Sequence, residues 1–152
     1  IIYRRSGRYH VKKSMQKQYQ THGIHAFFKP MLQAATSQYN WGYLDSWEHD
    51  IDLRTFWVFM VYRVQSHGNI DQLIEEMTTA FPDLLLQFSP EDHFSPIKLL
   101  GILIESRFIE RFLQFWGFVT LDPRSFLNTE SVGRTVQVLP LLKQTFQFTI
   151  NT

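Results

Sequence analysis

The apolar positions are most regular between Ser95 and Leu121, where they predict one long helix that runs into a strand. Ser95 is a favourable N-cap, and Pro96 suits the first helical turn because its missing N–H would be unpaired there anyway. Gly117 falls where a helix end favours positive φ. We expect the core to form around this helix. Its apolar residues recur at the spacing of a buried face: Leu99, Ile102, Leu103, Phe108, Ile109, Phe112, Phe115 and Trp116.

The pattern before residue 40 predicts a hairpin followed by helices. Residues 1–11 contain two short strand-like runs separated by Ser6 and Gly7, a turn pair. Residues 12–20 predict a short basic helix. Residues 24–39 keep helical spacing, but Pro30 interrupts them, which predicts either a kink or a helix that restarts at the proline.

The middle of the chain predicts two more helices. Residues 53–65 are apolar on nearly every side, which favours a buried central helix and leaves a buried strand as the alternative. Asn69, with Gln72 three residues later, resembles a capping box, so we expect a helix to begin there and to end before Pro82. Residues 40–52 show no sustained period and predict an ordered loop.

The C-terminal pattern predicts a second hairpin. Residues 118–121 and 135–139 can pair across the polar loop 122–134, and Pro140 opens a last short helix. The order helix, strand, loop, strand is that of a winged helix at this end, and the alternative is an α+β domain of another kind with a hairpin after a helix. The sequence therefore predicts a mainly α fold with small β hairpins.

Length predicts one domain, residues 1–152, with a basic hairpin and short helix in 1–22 and a helical core in 24–152. The chain begins at Ile1 without Met, so we expect the C-terminal part of a longer chain. Aromatic residues make up 16% of the sequence, which predicts a large aromatic core or an aromatic contact surface. The absence of cysteine excludes disulfides, thiolate zinc sites and cysteine nucleophiles, and it fits a cytoplasmic protein.

Charge is unevenly distributed. The first 44 residues contain seven Lys and Arg and no Asp or Glu, whereas the remainder has a charge of −6, giving a net charge of +1. Cations interleaved with Tyr3, Tyr9 and Tyr19 are typical of nucleic-acid binding. The sequence nevertheless favours cations that are solvated or lie over the acidic remainder, and nucleic-acid binding is the alternative. The candidate nucleic-acid-binding residues are Arg4, Arg5, Arg8, Lys12, Lys13 and Lys17.

One acidic cluster has the atoms to hold a hard cation or act as a general base. Its spacing matches no calcium loop, and acids ahead of a helix at Leu53 are also explained by capping and the helix dipole. The sequence thus assigns no metal site, and the weak metal candidates are Glu48, His49, Asp50 and Asp52. His22 and His25 could share a helical face but lack further ligands.

The polar residues of the main helix predict a solvated face. Arg107 and Glu110, three residues apart, have the spacing of a surface ion pair, and Glu105 and Arg111 accompany them. Two acids on this helix would repel phosphate if it entered a DNA groove. The sequence contains no nucleophile motif and no phosphate-binding glycine loop, so it predicts no catalytic residue and no cofactor.

Three motifs resemble a C-terminal helical domain of uncharacterised bacterial proteins. That family has an Asn-Trp-x-Tyr-x-Asp loop, an Arg-Phe-x-x-Arg-Phe-x-x-Phe-x-Gly helix end and a final strand leading to Thr-Pro-Leu or similar. The resemblance covers most of residues 1–147 and implies a helical fold and a bacterial cytoplasmic setting, with no activity attached. Leu139 departs from the common Thr. The matching positions are Asn40, Trp41, Tyr43, Asp45, Arg107, Phe108, Arg111, Phe112, Phe115, Gly117, Leu139, Pro140 and Leu141.

The sequence favours a non-catalytic protein-interaction or assembly domain of a larger bacterial protein, with a protein partner or self-association. A nucleic-acid-binding module that uses the basic N-terminal segment is the first alternative. A metal-dependent hydrolase is the second. No apolar run approaches the length of roughly 20 residues that a membrane span needs, so we expect no membrane partner.

Overall fold

The computed structural model describes residues 2–45, 51–89, 93–121 and 134–149. These residues form a mainly α fold with two small antiparallel hairpins, which confirms the predicted fold class. The chain divides into two compact units, Ile1–Tyr39 (unit 1) and Asn40–Thr152 (unit 2). The boundary between the units therefore lies directly after the helix predicted over 24–39. The single domain stays a prediction.

Unit 1 is a hairpin followed by two helices. Both turn residues of the hairpin have positive φ, 49° at Ser6 and 74° at Gly7, as a type I′ turn requires. The helix that contains Pro30 is continuous, so the predicted restart at the proline is wrong. Proline removes only its own N–H bond there, and the helix continues past it. The elements are β1 (Ile2–Arg5), β2 (Arg8–Val11), α1 (Lys13–His22) and α2 (His25–Ser37).

The first helices of unit 2 follow the predicted positions. The Asn69 side chain accepts a hydrogen bond from the Gln72 N–H at 3.0 Å, which confirms the N-cap, while the Gln72 amide donates to Glu76 at 3.0 Å. Residues 53–65 divide into a 3₁₀ turn and a helix that leaves Val58 49% exposed, so burial on all sides is wrong. The elements are the turn Leu53–Phe56, α3 (Trp57–His67), α4 (Ile70–Ala80) and a second 3₁₀ turn, Pro82–Gln87.

The main helix has the predicted ends but an unexpected interior. Ser95 caps α5 (Pro96–Leu103), and Gly117 has a φ of 71° beyond the helix end. Between them, Ile104–Gln114 forms a π-helix. Its bonds span five residues, as in the bond from the Phe115 N–H to the Glu110 carbonyl at 3.2 Å. Most π-helices are single turns, frequently at functional sites. The 11 residues here are an unusually long example.

The second hairpin is joined to the start of α4. Asn69 bridges to Thr135, and the Val136 N–H donates to the Gly68 carbonyl at 2.8 Å. The hairpin is thus paired on both sides of its second strand. Most of its predicted loop, residues 122–133, lies outside the described residues. The elements are β3 (Val119–Leu121), β4 (Val136–Val138) and α6 (Pro140–Thr145).

The core of unit 2 surrounds the main helix, as predicted. Phe108 and Phe112 are fully buried, and the Trp41 ring stacks on Phe112 with centroids 4.7 Å apart and planes at 18°. Burying aromatic rings of this size contributes much of a core's stability. Among the described residues, every helix is too short or too polar to cross a bilayer.

Candidate functional site

The hairpin of unit 1 gathers aromatic and cationic side chains on one face. Its register places Tyr3 opposite His10 and Arg5 opposite Arg8. Residues that lie directly opposite, and those two positions along a strand, share a face of the ribbon. The Tyr3 and His10 rings stack with centroids 5.4 Å apart and planes at 23°. We call this surface the arginine face and define it by Tyr3, Arg5, Arg8 and His10.

The opposite face of the hairpin is more apolar. It carries Ile2 opposite Val11 and Arg4 opposite Tyr9. Tyr9 is 78% exposed, and all eight strand residues are exposed. A two-stranded hairpin is marginally stable in water unless one of its faces is covered. Both faces of this hairpin are therefore exposed.

Electrostatics on the arginine face favour an anion. Arg5 and Arg8 are directly opposed, and like charges in that position destabilise a hairpin. Unit 1 contains no Asp or Glu, so no carboxylate within it can neutralise this pair. A bound phosphate would satisfy both guanidinium groups at once. All the predicted nucleic-acid-binding residues are exposed, on the hairpin, at Lys12 or on α1: Arg4, Arg5, Arg8, Lys12, Lys13 and Lys17.

Unit 2 contains a buried ion pair that the sequence did not predict. The Arg107 Nε donates to the Asp45 carboxylate at 2.5 Å, and both side chains are almost fully buried, 4% and 3% exposed. The same guanidinium donates to the Ile51 carbonyl at 2.9 Å. The prediction of a surface pair between Arg107 and Glu110 is wrong, because Arg107 points into the protein and joins residues on both sides of segment 46–50.

Arg111 holds the preceding turn in a strained shape. Its guanidinium donates to the Tyr43 carbonyl at 2.6 Å and to the Leu44 carbonyl at 3.0 Å. Leu44 has a φ of 57°, which is rare for a bulky residue and is retained only where the surroundings enforce it. The turn presents Tyr43 and Leu44 to solvent, 60% and 78% exposed. Arg111 is therefore a backbone clamp and not part of a solvated face.

Comparisons with known proteins add no identity. No family model, curated protein or solved structure matches this chain. The resemblance to the bacterial helical domain stays a prediction.

A groove of about 610 Å³ lies between α4 and α5. Arg134 lines it and is held by Asp71 through two guanidinium nitrogens, at 2.7 and 3.0 Å, and by Glu105 at 2.7 Å. Glu105 is thus paired across the groove and is not simply solvated, as the sequence had suggested. With its cation already neutralised by two carboxylates, the groove has little attraction for phosphate.

A second polar cluster joins α3 to α4. The Arg63 guanidinium pairs with Glu76, which also contacts the His67 Nε2 at 3.1 Å. The hydrogen bond from Arg63, assisted by those from His67 and Gln72, lowers the pKa of Glu76 to about 2. A carboxylate with three donors is ionised at neutral pH and is a poor proton carrier. Glu76 therefore joins α3 to α4 as an ionised carboxylate.

Of the four weak metal candidates, the structure describes Asp52. Glu48, His49 and Asp50 lie outside the described residues, whereas Asp52 caps the 3₁₀ turn by accepting from the Arg54 N–H at 3.0 Å. The Arg54 guanidinium also donates two hydrogen bonds to this carboxylate, at 2.7 and 2.8 Å, and these bonds lower the pKa of Asp52. Within the described ranges, no three His, Asp or Glu side chains are grouped to hold a metal, and this includes His22 and His25.

Proposed function

We propose that this protein binds nucleic acid through unit 1. The observation that carries the proposal is the opposed pair Arg5 and Arg8, exposed beside a stacked aromatic pair in a unit without acidic residues. Phosphate neutralises the cations, and nucleobases offer aromatic faces. A simple anion would contact the cations alone, whereas nucleic acid can contact both the cations and the aromatic pair.

The helix after the hairpin extends the same charge. Lys12 precedes α1, and Lys13 and Lys17 lie four residues apart on it, so the two occupy neighbouring positions on one side of the helix. Tyr19 on this helix is 57% exposed. The helix buries none of its residues. A backbone that leaves the hairpin would therefore meet further cations along α1.

Affinity should fall steeply with salt. If all six candidate cations contact phosphate, affinity drops about a thousandfold between 50 and 200 mM salt. The Arg5→Glu/Arg8→Glu variant should bind at least about tenfold more weakly, and its salt slope should be lower by about 2. Fluorescence anisotropy with labelled oligonucleotides across a salt series measures both quantities.

The control for this test has the same change in net charge. Lys98 and Lys143 are exposed cations of unit 2, and Lys98→Glu/Lys143→Glu should retain wild-type affinity. Equal losses in the two variants would mean that only net charge matters. Wild-type binding that is absent at 50 mM salt would refute the proposal.

We also propose that residues 57–138 are winged-helix-like. The order α3, the bridge at Asn69, α4, α5 with the π-helix, then β3 and β4 supports this arrangement. The helix in the position of a DNA-reading helix carries Glu105 and Glu110, which repel phosphate. This arrangement therefore favours unit 1 as the nucleic-acid surface and leaves unit 2 for another role.

That other role is our second candidate function, protein interaction or assembly. The observation that favours it is the clamped turn, in which Leu44 is both strained and 78% exposed. Strain of this kind persists where the surroundings enforce it and is concentrated at functional sites. Because the turn holds Leu44 in one conformation, this exposed apolar residue loses little conformational freedom on binding, which favours affinity.

Self-association through Leu44 should disappear in the Leu44→Asn variant. Asparagine tolerates positive φ, so the variant removes the apolar side chain without straining the turn. Leu86 is 80% exposed elsewhere in unit 2, and Leu86→Asn serves as the control. Sedimentation velocity over a concentration series should show association in the wild type and in the control only. A wild type that stays monomeric would count against assembly.

A further inference from the structure

We infer that the ligand of unit 1 is single-stranded nucleic acid, with one base stacked on the Tyr3 ring and the adjoining phosphates at Arg5 and Arg8. The inference rests on the proposed function and adds the strandedness of the ligand and the face that binds it. Of the two faces of the hairpin, only the arginine face combines two rings with two cations.

The geometry of the ribbon supplies a stacking platform next to a phosphate site. Tyr3 and Arg5 are two residues apart on β1, as are Arg8 and His10 on β2. Two residues along a strand span about 6.8 Å, so the ring pair and the guanidinium pair are adjacent on one face. Tyr3 is 44% exposed although its ring stacks against His10. His10 thus supports the Tyr3 ring and leaves part of it accessible.

Strandedness follows from what this face can contact. In a duplex the faces of the bases are covered by their neighbours, and only base edges are open in the grooves. A stacking platform gains nothing from such a ligand. In a single strand the faces are free, and each base stacked on an aromatic side chain strengthens binding severalfold or more. Tyr3 and His10 therefore favour the single strand, whereas Arg5 and Arg8 serve both ligands.

The other face of the hairpin is the internal comparison. It presents Tyr9 beside Arg4 alone, and its remaining pair, Ile2 and Val11, is aliphatic. Tyr9 is more exposed than Tyr3, 78% against 44%, but it lacks an opposed aromatic partner and a second cation across the ribbon. Exposure alone would favour Tyr9 as the stacking residue. The opposed ring and the two neighbouring cations favour Tyr3.

The test compares Tyr3→Val with Tyr9→Val in the whole chain. Valine keeps strand propensity and removes the ring. Anisotropy is measured with a single strand of about 12 nucleotides and with the duplex of the same sequence, at one salt concentration. We expect the wild type to bind the single strand more tightly. Tyr3→Val should weaken single-strand binding roughly tenfold and leave duplex binding unchanged. Tyr9→Val should lose less single-strand affinity than Tyr3→Val, and Tyr3→Phe, which keeps the ring, should bind as the wild type does.

Each outcome is decisive. The inference is overturned if Tyr3→Val binds the single strand as the wild type does, or if the duplex binds equally well or better, which would point to a ribbon that enters the major groove. In both cases the proposed function stands if binding still weakens with salt and still requires Arg5 and Arg8. Unchanged duplex affinity in Tyr3→Val shows that the hairpin has folded. Loss of binding to both ligands in that variant would make Tyr3 structural and would also overturn the inference.

Discussion

Asp45→Asn should destabilise the protein by about 3–5 kcal/mol, because it removes a carboxylate that is bonded to the buried Arg107 guanidinium. Both side chains are at least 96% buried, so water cannot replace the lost carboxylate. Asparagine has nearly the same shape as aspartate, which means that the loss reports charge and not a cavity. Urea unfolding followed by tryptophan fluorescence measures the change in the free energy of unfolding.

The matched control is Asp52→Asn. Asp52 forms the same kind of arginine pair, but its side chain is 51% exposed and that of Arg54 is 24% exposed. Asparagine still caps a helix, and exposed pairs contribute about 0–1 kcal/mol, so the control should lose less than about 1 kcal/mol. Similar losses at Asp45 and Asp52 would contradict the role that we assign to burial.

The main helix shows how far the apolar pattern reaches. Spacing and end signals predicted the cap at Ser95 and the positive φ at Gly117, because both depend on local chemistry. The pattern did not predict the π-helix, since helical periodicity locates an apolar face without fixing which carbonyl each N–H bonds. Hydrogen-bond spacing of that kind is set by the packing of the whole core.

Arg107 was misplaced because charged residues are assigned to solvent unless a partner is known. Its partner, Asp45, is 62 residues away in sequence, and no local rule connects them. One signal was available, since Arg107 lies four residues after Leu103 and three after Ile104, which places it on the apolar face. An arginine at such a position predicts a buried carboxylate elsewhere in the chain.

The arginine face was more accessible to sequence reasoning. The Ser6-Gly7 pair predicts a two-residue turn, and such a turn places Arg5 directly opposite Arg8. Composition alone marks these residues as cations, and their opposition follows from the length of the turn. The boundary after Tyr39 has no comparable local signal, because a division into compact units depends on long-range contacts.

Gly68→Ala should also be strongly destabilising, by about 2–5 kcal/mol. Gly68 has a φ of 64° at the end of α3, a conformation that costs other residues about 1–2 kcal/mol. A Cβ there would lie 2.6 Å from the Val136 carbonyl oxygen. That oxygen belongs to β4, whose Val136 N–H is bonded to the Gly68 carbonyl, so it cannot move without breaking the contact between the hairpin and α3. Overpacking of this kind adds about 1–3 kcal/mol.

Gly117→Ala separates the two contributions. Gly117 has a similar φ of 71°, but a Cβ there would meet nothing within 4 Å, so its substitution should cost only the conformational part, about 1–2 kcal/mol. Chemical denaturation of both variants gives the difference, which measures how tightly β4 is held against the end of α3. If the two variants lose the same stability, the hairpin moves away from Gly68 without cost, and the bridge from Asn69 to Thr135 does not fix the hairpin against the end of α3.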